Sequence, residues 1–273
     1  MQSTNDDRPA SSSGRKAVGE KKPAPVFGDT GNRQIGEIWF EPPPEIPDLL
    51  VKYIFTSEKL SVQVHPSDTQ TIAAGLGKQG KEECWLVIDA EPGATLGIGF
   101  DLDTDTEQLH AAALDGSIET MMTWHPVAVG DFFYIPANTV HAIGAGISLI
   151  EVQQNSDITY RLFDYGRPRE LHLEEGLAVS RGEIYDLSLS RRVAGETTIL
   201  VDGPYFRMDQ LCGAVDTDVR HRYGGAPLLV IPRQGDITVG GEWVKPGQCA
   251  LVMSIDDLDI DANGISILAQ SMG

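Results

Sequence analysis

The chain has 273 residues, with 40 acidic against 21 basic side chains and a formal charge of −19. With 41% hydrophobic and 22% charged residues it has the composition of a folded protein of one large or two smaller domains. That charge excludes a general nucleic-acid binder, because phosphate backbones demand basic surface, and no apolar run approaches the ~18–20 residues of a membrane-spanning helix. The first 22 residues lack the apolar core of a secretory signal. Cys84, Cys212 and Cys249 are scattered, without C-x-x-C spacing, which points to reduced thiols in a cytoplasm. An anionic ligand would need a local cluster of positive charge.

Residues 1–25 are rich in Ser, Lys, Asp and Gly and read as a flexible tail. From Gly36 short β-like runs dominate, at 37–41, 49–56, 60–64, 83–90, 95–100, 131–136, 147–154 and 159–165, punctuated by Pro, Gly, Asn and Asp. Helical interludes are expected at 68–74, 105–114, 116–123 and 173–180. Beyond a soft boundary near residue 187, strands resume at 197–201, 206–211, 228–232, 236–239, 249–253 and 265–269. The fold class is mainly β, a sandwich or barrel with few helices. A catalytic domain over 26–186 and a smaller β domain over 187–273 divide it. Beyond His172 the second domain offers only His221, so chemistry belongs in the first.

Four segments could carry that chemistry. In Leu60 to Pro66, strand alternation turns Ser61, Gln63 and His65 one way and Val62 and Val64 the other. The polar face either lines a cavity or meets solvent. In Gly80 to Ile88, Lys81, Glu83 and Trp85 share a face, as part of a site or as a solvated pair at a strand start. Gly130 to His141 runs strand, Pro136, a tight turn at Asn138 and a returning strand that begins with His141. In Leu149 to Arg161, Glu151 and Gln153 share a face and Arg161 follows a polar turn, at the site or as a surface ion-pair partner. Gln63, His65, Glu83 and His141 can converge only if a barrel brings their strands together. Imidazole nitrogens with carboxylate and amide oxygens would suit a borderline divalent ion such as Zn²⁺. Lys81 and Arg161 would add the missing positive charge.

The Pro136 to His141 arrangement resembles the second motif of the cupin superfamily, with Asn138 where many cupins have Gly. More narrowly, Ser61 to Pro66, Gly80 to Trp85, Gly130 to His141 and Glu151 to Arg161 resemble type I mannose-6-phosphate isomerases, and Gly36 to Trp39 is similar to that family's early strand. The resemblance covers about residues 31–185 and implies a cupin-type jelly-roll catalytic barrel followed by a degenerate second cupin. It implies one divalent ion per chain, zinc by the family pattern, held by Gln63, His65, Glu83 and His141. It implies Lys81, Glu151 and Arg161 as catalytic residues, and Ser61, Lys81 and Arg161 as substrate-binding ones. The expected reaction is the interconversion of mannose 6-phosphate and fructose 6-phosphate through a cis-enediol. Lys81 and Glu151 both stand as the base, while Arg161 would hold an oxyanion or the phosphate. A phosphosugar substrate in the cytoplasm, with neither nucleic acid nor membrane as partner, completes the expectation. The alternatives are a cupin oxygenase using iron and a sugar-phosphate-binding cupin with a structural metal. His110, His125, His172 and His221 match no ligand pattern, and His125 reads as a loop residue. The acidic run from Asp256 to Asp261 lacks the Gly and the final Glu of a calcium loop and reads as a solvated strand edge.

Overall fold

The computed structural model describes residues 35–273, so the tail read over 1–25 and the start of the 26–186 domain lie outside them. The chain separates into two compact units. One takes 35–37 with Lys52–Ala194, the other Ile38–Val51 with Gly195–Gly273. In chain order the first elements are β1 (Glu37–Phe40), β2 (Leu49–Phe55), β3 (Val62–Val64), α1 (Asp68–Ala73), β4 (Glu83–Ala90), β5 (Thr95–Phe100), α2 (Thr106–Asp115) and α3 (Ile118–Met121). Then come β6 (Met122–Pro126), β7 (Asp131–Ile135), β8 (His141–Ile143), β9 (Ile147–Gln154), β10 (Tyr160–Phe163), α4 (Leu173–Val179) and β11 (Ser190–Arg192). In the first unit β2-β9-β4-β7-β11 lie side by side in one sheet and β10-β3-β8-β5-β6 in another.

The strands expected over 83–90, 95–100 and 147–154 occupy those residues. The helix expected over 116–123 is instead one turn, α3, after which β6 begins. His125 therefore lies on a strand rather than in a loop. Strand β6 is last in its sheet, where Pro126 removes no ladder hydrogen bond.

The two sheets share one apolar layer. Trp85 and Val87 of β4 and Ile147 and Leu149 of β9 pack with Leu96 and Ile98 of β5 and Ile143 of β8 in a single cluster. Continuing along the same faces by alternation, β9 reaches Glu151 and Gln153, β4 reaches Glu83 and β8 reaches His141. The layer is apolar at one end and polar at the other. On β3 the opposite face carries Val62 and Val64, fully buried with Leu109, Ala112, Ala113 and Leu177 of α2 and α4. Burying each valine stabilises the strand by about 1.5–3 kcal/mol. Helices thus cover the outer face, so Gln63 and His65 point into the layer rather than to solvent.

The smaller unit contains β12 (Thr198–Asp202), β13 (Phe206–Cys212), α5 (Thr217–Tyr223), β14 (Leu228–Gln234), β15 (Ile237–Val239), β16 (Glu242–Val244), β17 (Ala250–Val252), β18 (Leu258–Ile260) and β19 (Ile265–Ser271). They make a five-stranded sheet, β12-β13-β19-β14-β17, and a three-stranded one, β16-β15-β18. Helix α5 is absent from the sequence reading. Its buried residues are Val219 and Tyr223 alone, too thin a stripe to signal a helix. The acidic run is strand only in part: Ile255–Asp257 form a 3-10 turn, and in β18 Asp259 is exposed between buried Leu258 and Ile260.

Candidate metal centre

Adjacent strands set the ligand positions in register. Gln63 on β3 lies opposite His141 on β8 and, on its other side, opposite Arg161 on β10. In the facing sheet Glu83 pairs with Gln153 and Trp85 with Glu151. The end of β3 is tied to the turn after Pro136. Asn138 adopts φ +74°, a left-handed conformation that Asn tolerates. From there its backbone N–H donates to His65 O at 2.8 Å. Its side-chain amide donates to Gln70 Oε1 at 2.7 Å.

His65, Glu83 and His141 meet, all buried, with one ligand atom from each within 4.8 Å of the others. Nε2 of His65 lies 3.5 Å from Glu83 Oε2, and Nε2 of His141 lies 3.4 Å from Glu83 Oε1. Each imidazole gives its other nitrogen to a carbonyl, His65 Nδ1 to Ile158 O and His141 Nδ1 to Thr139 O, both at 2.8 Å. A carbonyl only accepts, so Nδ1 carries the proton and both Nε2 lone pairs turn into the cluster, where a cation could take them. Glu83 Oε1 is buried and accepts no hydrogen bond. A buried carboxylate oxygen without a donor is costly unless a cation answers it. This donor set fits a divalent metal ion. Gln63 adjoins it, with Nε2 at 3.3 Å from His141 Nε2, and Ser61 Oγ donates to Gln63 Oε1 at 3.2 Å.

Lys81 Nζ lies 2.8 Å from Glu83 Oε2 and 3.2 Å from His65 Nε2. Burial works against its charge, but Glu83 and Glu151 outweigh it and hold the ammonium above its ordinary pKa. Burial would raise the Glu83 carboxyl, yet Lys81 and His141 keep it below the usual range. Burial pushes both imidazoles down, His65 well below its ordinary value with Lys81 adding to the effect. The cluster is two neutral imidazoles, a carboxylate and an ammonium.

Glu151 joins through Trp85, whose Nε1 donates to Glu151 Oε2 at 2.9 Å and whose ring packs edge-on against His141 at 5.4 Å. Lys52 Nζ stands 3.3 Å from Glu151 Oε1. The sequence reading missed Lys52, although a lone charge within the otherwise buried Leu49–Phe55 strand was an available signal. Of the expected residues, Ser61, Gln63, His65, Lys81, Glu83 and His141 form one continuous contact network. Arg161 shares the row by register, while its Nη1 donates to Glu170 O at 3.4 Å. Among the described residues this is the one group of His, Cys, Asp and Glu side chains with metal-binding geometry.

Comparison with known proteins agrees with the geometry. A mannose-6-phosphate isomerase of Streptococcus mutans is 38% identical over 208 residues, 71% of this chain and 64% of that protein. Another, from Bacillus subtilis, is 35% identical over 210 residues, 72% of this chain and 65% of its own. The chain thus spans just under two thirds of the length of these curated relatives. No family model matches. The crystal structure of mannose 6-phosphate isomerase from Bacillus subtilis has a TM-score of 0.78 at 22% identity, covering 94% of this chain and 96% of that one. That likeness shows the fold, mainly β and of cupin type. By sequence the chain is a relative of the curated mannose-6-phosphate isomerases, and by fold it is built as a solved member of that group is built.

Proposed function

We propose that this protein is a metal-dependent aldose–ketose isomerase that interconverts mannose 6-phosphate and fructose 6-phosphate. The observation that carries the reading is the buried His65–Glu83–His141 cluster with both Nε2 atoms turned inward and Lys81 within reach. The names of the curated relatives support mannose 6-phosphate as the substrate. We propose zinc as the ion, held by His65, Glu83 and His141 with Gln63 as the fourth ligand through its amide oxygen, which a half-turn of the amide exchanges with its nitrogen. Such an ion would polarise the sugar carbonyl and stabilise the charge of the developing enediolate.

The chain's own residues do the remainder. The reaction moves a proton between carbons 1 and 2; Glu151 and Lys81 both stand as the base, Lys81 only where the charge of a bound cation would drive off its proton. Trp85 and Lys52 aim the Glu151 carboxylate. Arg161 receives the phosphate or an oxyanion with its guanidinium fork, and Ser61 binds the phosphate or a sugar hydroxyl. The apolar layer packs behind the site. The chemistry belongs to the domain read over 26–186, with 187–273 as a degenerate second cupin, and the cytoplasm is the proposed compartment. Among the described residues no helix is long and apolar enough to cross a membrane.

The test is a coupled assay for fructose 6-phosphate formed from mannose 6-phosphate, before chelation, after it, and after zinc is returned. Activity lost on chelation and restored by zinc is expected. An unchanged rate in protein shown to be metal-free refutes the reading. Within it, Lys81→Met and Glu151→Gln separate the two bases: the true base variant loses exchange of the carbon-2 proton with solvent.

A further inference from the structure

We propose that Asp68 and Gln154 are positioning residues that clamp the segment 80–82 and so place Lys81 at the metal centre. The kinetic consequences rest on the isomerase reading above.

Segment 80–82 precedes β4, so no strand ladder accounts for its N–H groups. Three consecutive donors are nevertheless each taken. Gly80 N donates to Asp68 Oδ1 at 2.6 Å, Lys81 N to Pro66 O at 3.0 Å and Glu82 N to Gln154 Oε1 at 2.9 Å. Gln154 Nε2 also donates to Asp68 Oδ1 at 3.0 Å, and Gln154 N donates to Glu82 O at 3.0 Å. One carboxylate oxygen therefore joins the start of α1, the end of β9 and the segment that carries Lys81. The approach is close enough that a Cβ on Gly80 would fall 2.3 Å from Pro66 O, so glycine is required there.

Asp68 lies three residues beyond His65, so the clamp refers Lys81 to the strand end that supplies a ligand. Glu83 is held differently, by its ladder pairs with Ile135 and Gln153. Loosening the clamp should move Lys81 and spare the ligands. A displacement of about 1 Å at a reacting group can cost up to about a hundredfold in rate.

The experiment compares Asp68→Ala, Asp68→Asn and Gln154→Ala with the wild-type chain. Asn keeps an Oδ1 acceptor, while Ala does not. Asp68→Ala and Gln154→Ala should lower kcat at least about tenfold, with KM within about twofold and zinc content retained. Asp68→Asn should recover most of the loss. A second readout uses metal-free protein, with acetylation of Lys81 by an N-hydroxysuccinimide ester followed by peptide mass spectrometry. Lys81 should react faster in Asp68→Ala than in wild type or Asp68→Asn. Wild-type kcat and labelling in Asp68→Ala overturn the proposal. So does an Asn variant as impaired as the Ala one, or an activity loss that merely follows zinc loss. If the wild-type chain isomerises no phosphosugar, the isomerase reading fails, and the Lys81 labelling still decides the clamp.

Discussion

Asn138 offers a sharp test of how the chain places His65. Its φ of +74° is left-handed, and its side-chain amide donates to Gln70 Oε1 at 2.7 Å and to His65 O at 3.3 Å. Replacement by Ala loses the 2.7 Å bond to Gln70, a net hydrogen bond of about 1 kcal/mol, while His65 O keeps the backbone N–H of residue 138 in place of the longer contact. A Cβ without a polar group in the left-handed region costs about 1–2 kcal/mol more. Asn138→Ala should therefore destabilise the protein by about 2–3 kcal/mol. Asn138→Gly loses the same hydrogen bond and adds about 0.5–1 kcal/mol of unfolded-chain freedom, but carries no left-handed strain, for a total of about 1.5–2 kcal/mol. Gly should thus be the milder change by about 1 kcal/mol, the reverse of the order at most positions. Gln70 Oε1 still accepts from Ser67 N in either variant, so no buried acceptor is orphaned to blur the comparison. Urea unfolding of the metal-free variants at matched m measures the difference. An Ala variant as stable as the Gly variant would show that the turn does not need this backbone conformation, and the reasoning would fail.

Three further expectations follow from the same geometry. His141→Ala removes one of the inward Nε2 atoms, so metal content and isomerase activity should fall together, and full activity without metal would refute the assignment. Trp85→Phe deletes the donor to Glu151 Oε2, a charged hydrogen bond of about 1.5–3 kcal/mol. Its kcat should fall with metal content intact, and an unchanged kcat removes Trp85 from the alignment of Glu151. The third concerns pH. Burial pushes the Asp164 carboxyl up, but Arg169 and Arg167 together hold it below the usual range. A carboxyl lowered in the folded state lends stability above its unfolded pKa of about 3.9 and loses it as pH falls through the folded value. The stability curves of wild type and Asp164→Asn should therefore be apart at neutral pH and draw together in acid. A gap that stays constant through the acid range contradicts the ion cluster.

Much of this protein was legible in its sequence because period-two alternation is a local property. The strands Glu83–Ala90 and Ile147–Gln154 could be read to their ends. The same alternation placed Gln63 and His65 on one face of β3 and the valines on the other. The spacing from Pro136 through Asn138 to His141 located a tight turn, and the structure adds that Asn138 is left-handed there. Helix α3 and strand β6 were not separable by such means, because a one-turn helix running into an edge strand has no period long enough to register.

What the sequence determined by itself is which side chains share a strand face, and which residue types stand at the ends of the strands. Only the tertiary structure decided which of two faces is buried. Helices α2 and α4 cover Val62 and Val64, so Gln63 and His65 turn into the layer instead of toward water. It also decided the partners. Lys52 reaches Glu151, and Asp68 reaches Gly80 and Gln154, across separations that carry no local pattern. The physical reason is range: alternation arises within one strand, whereas desolvation and ion pairing depend on what the folded chain brings alongside.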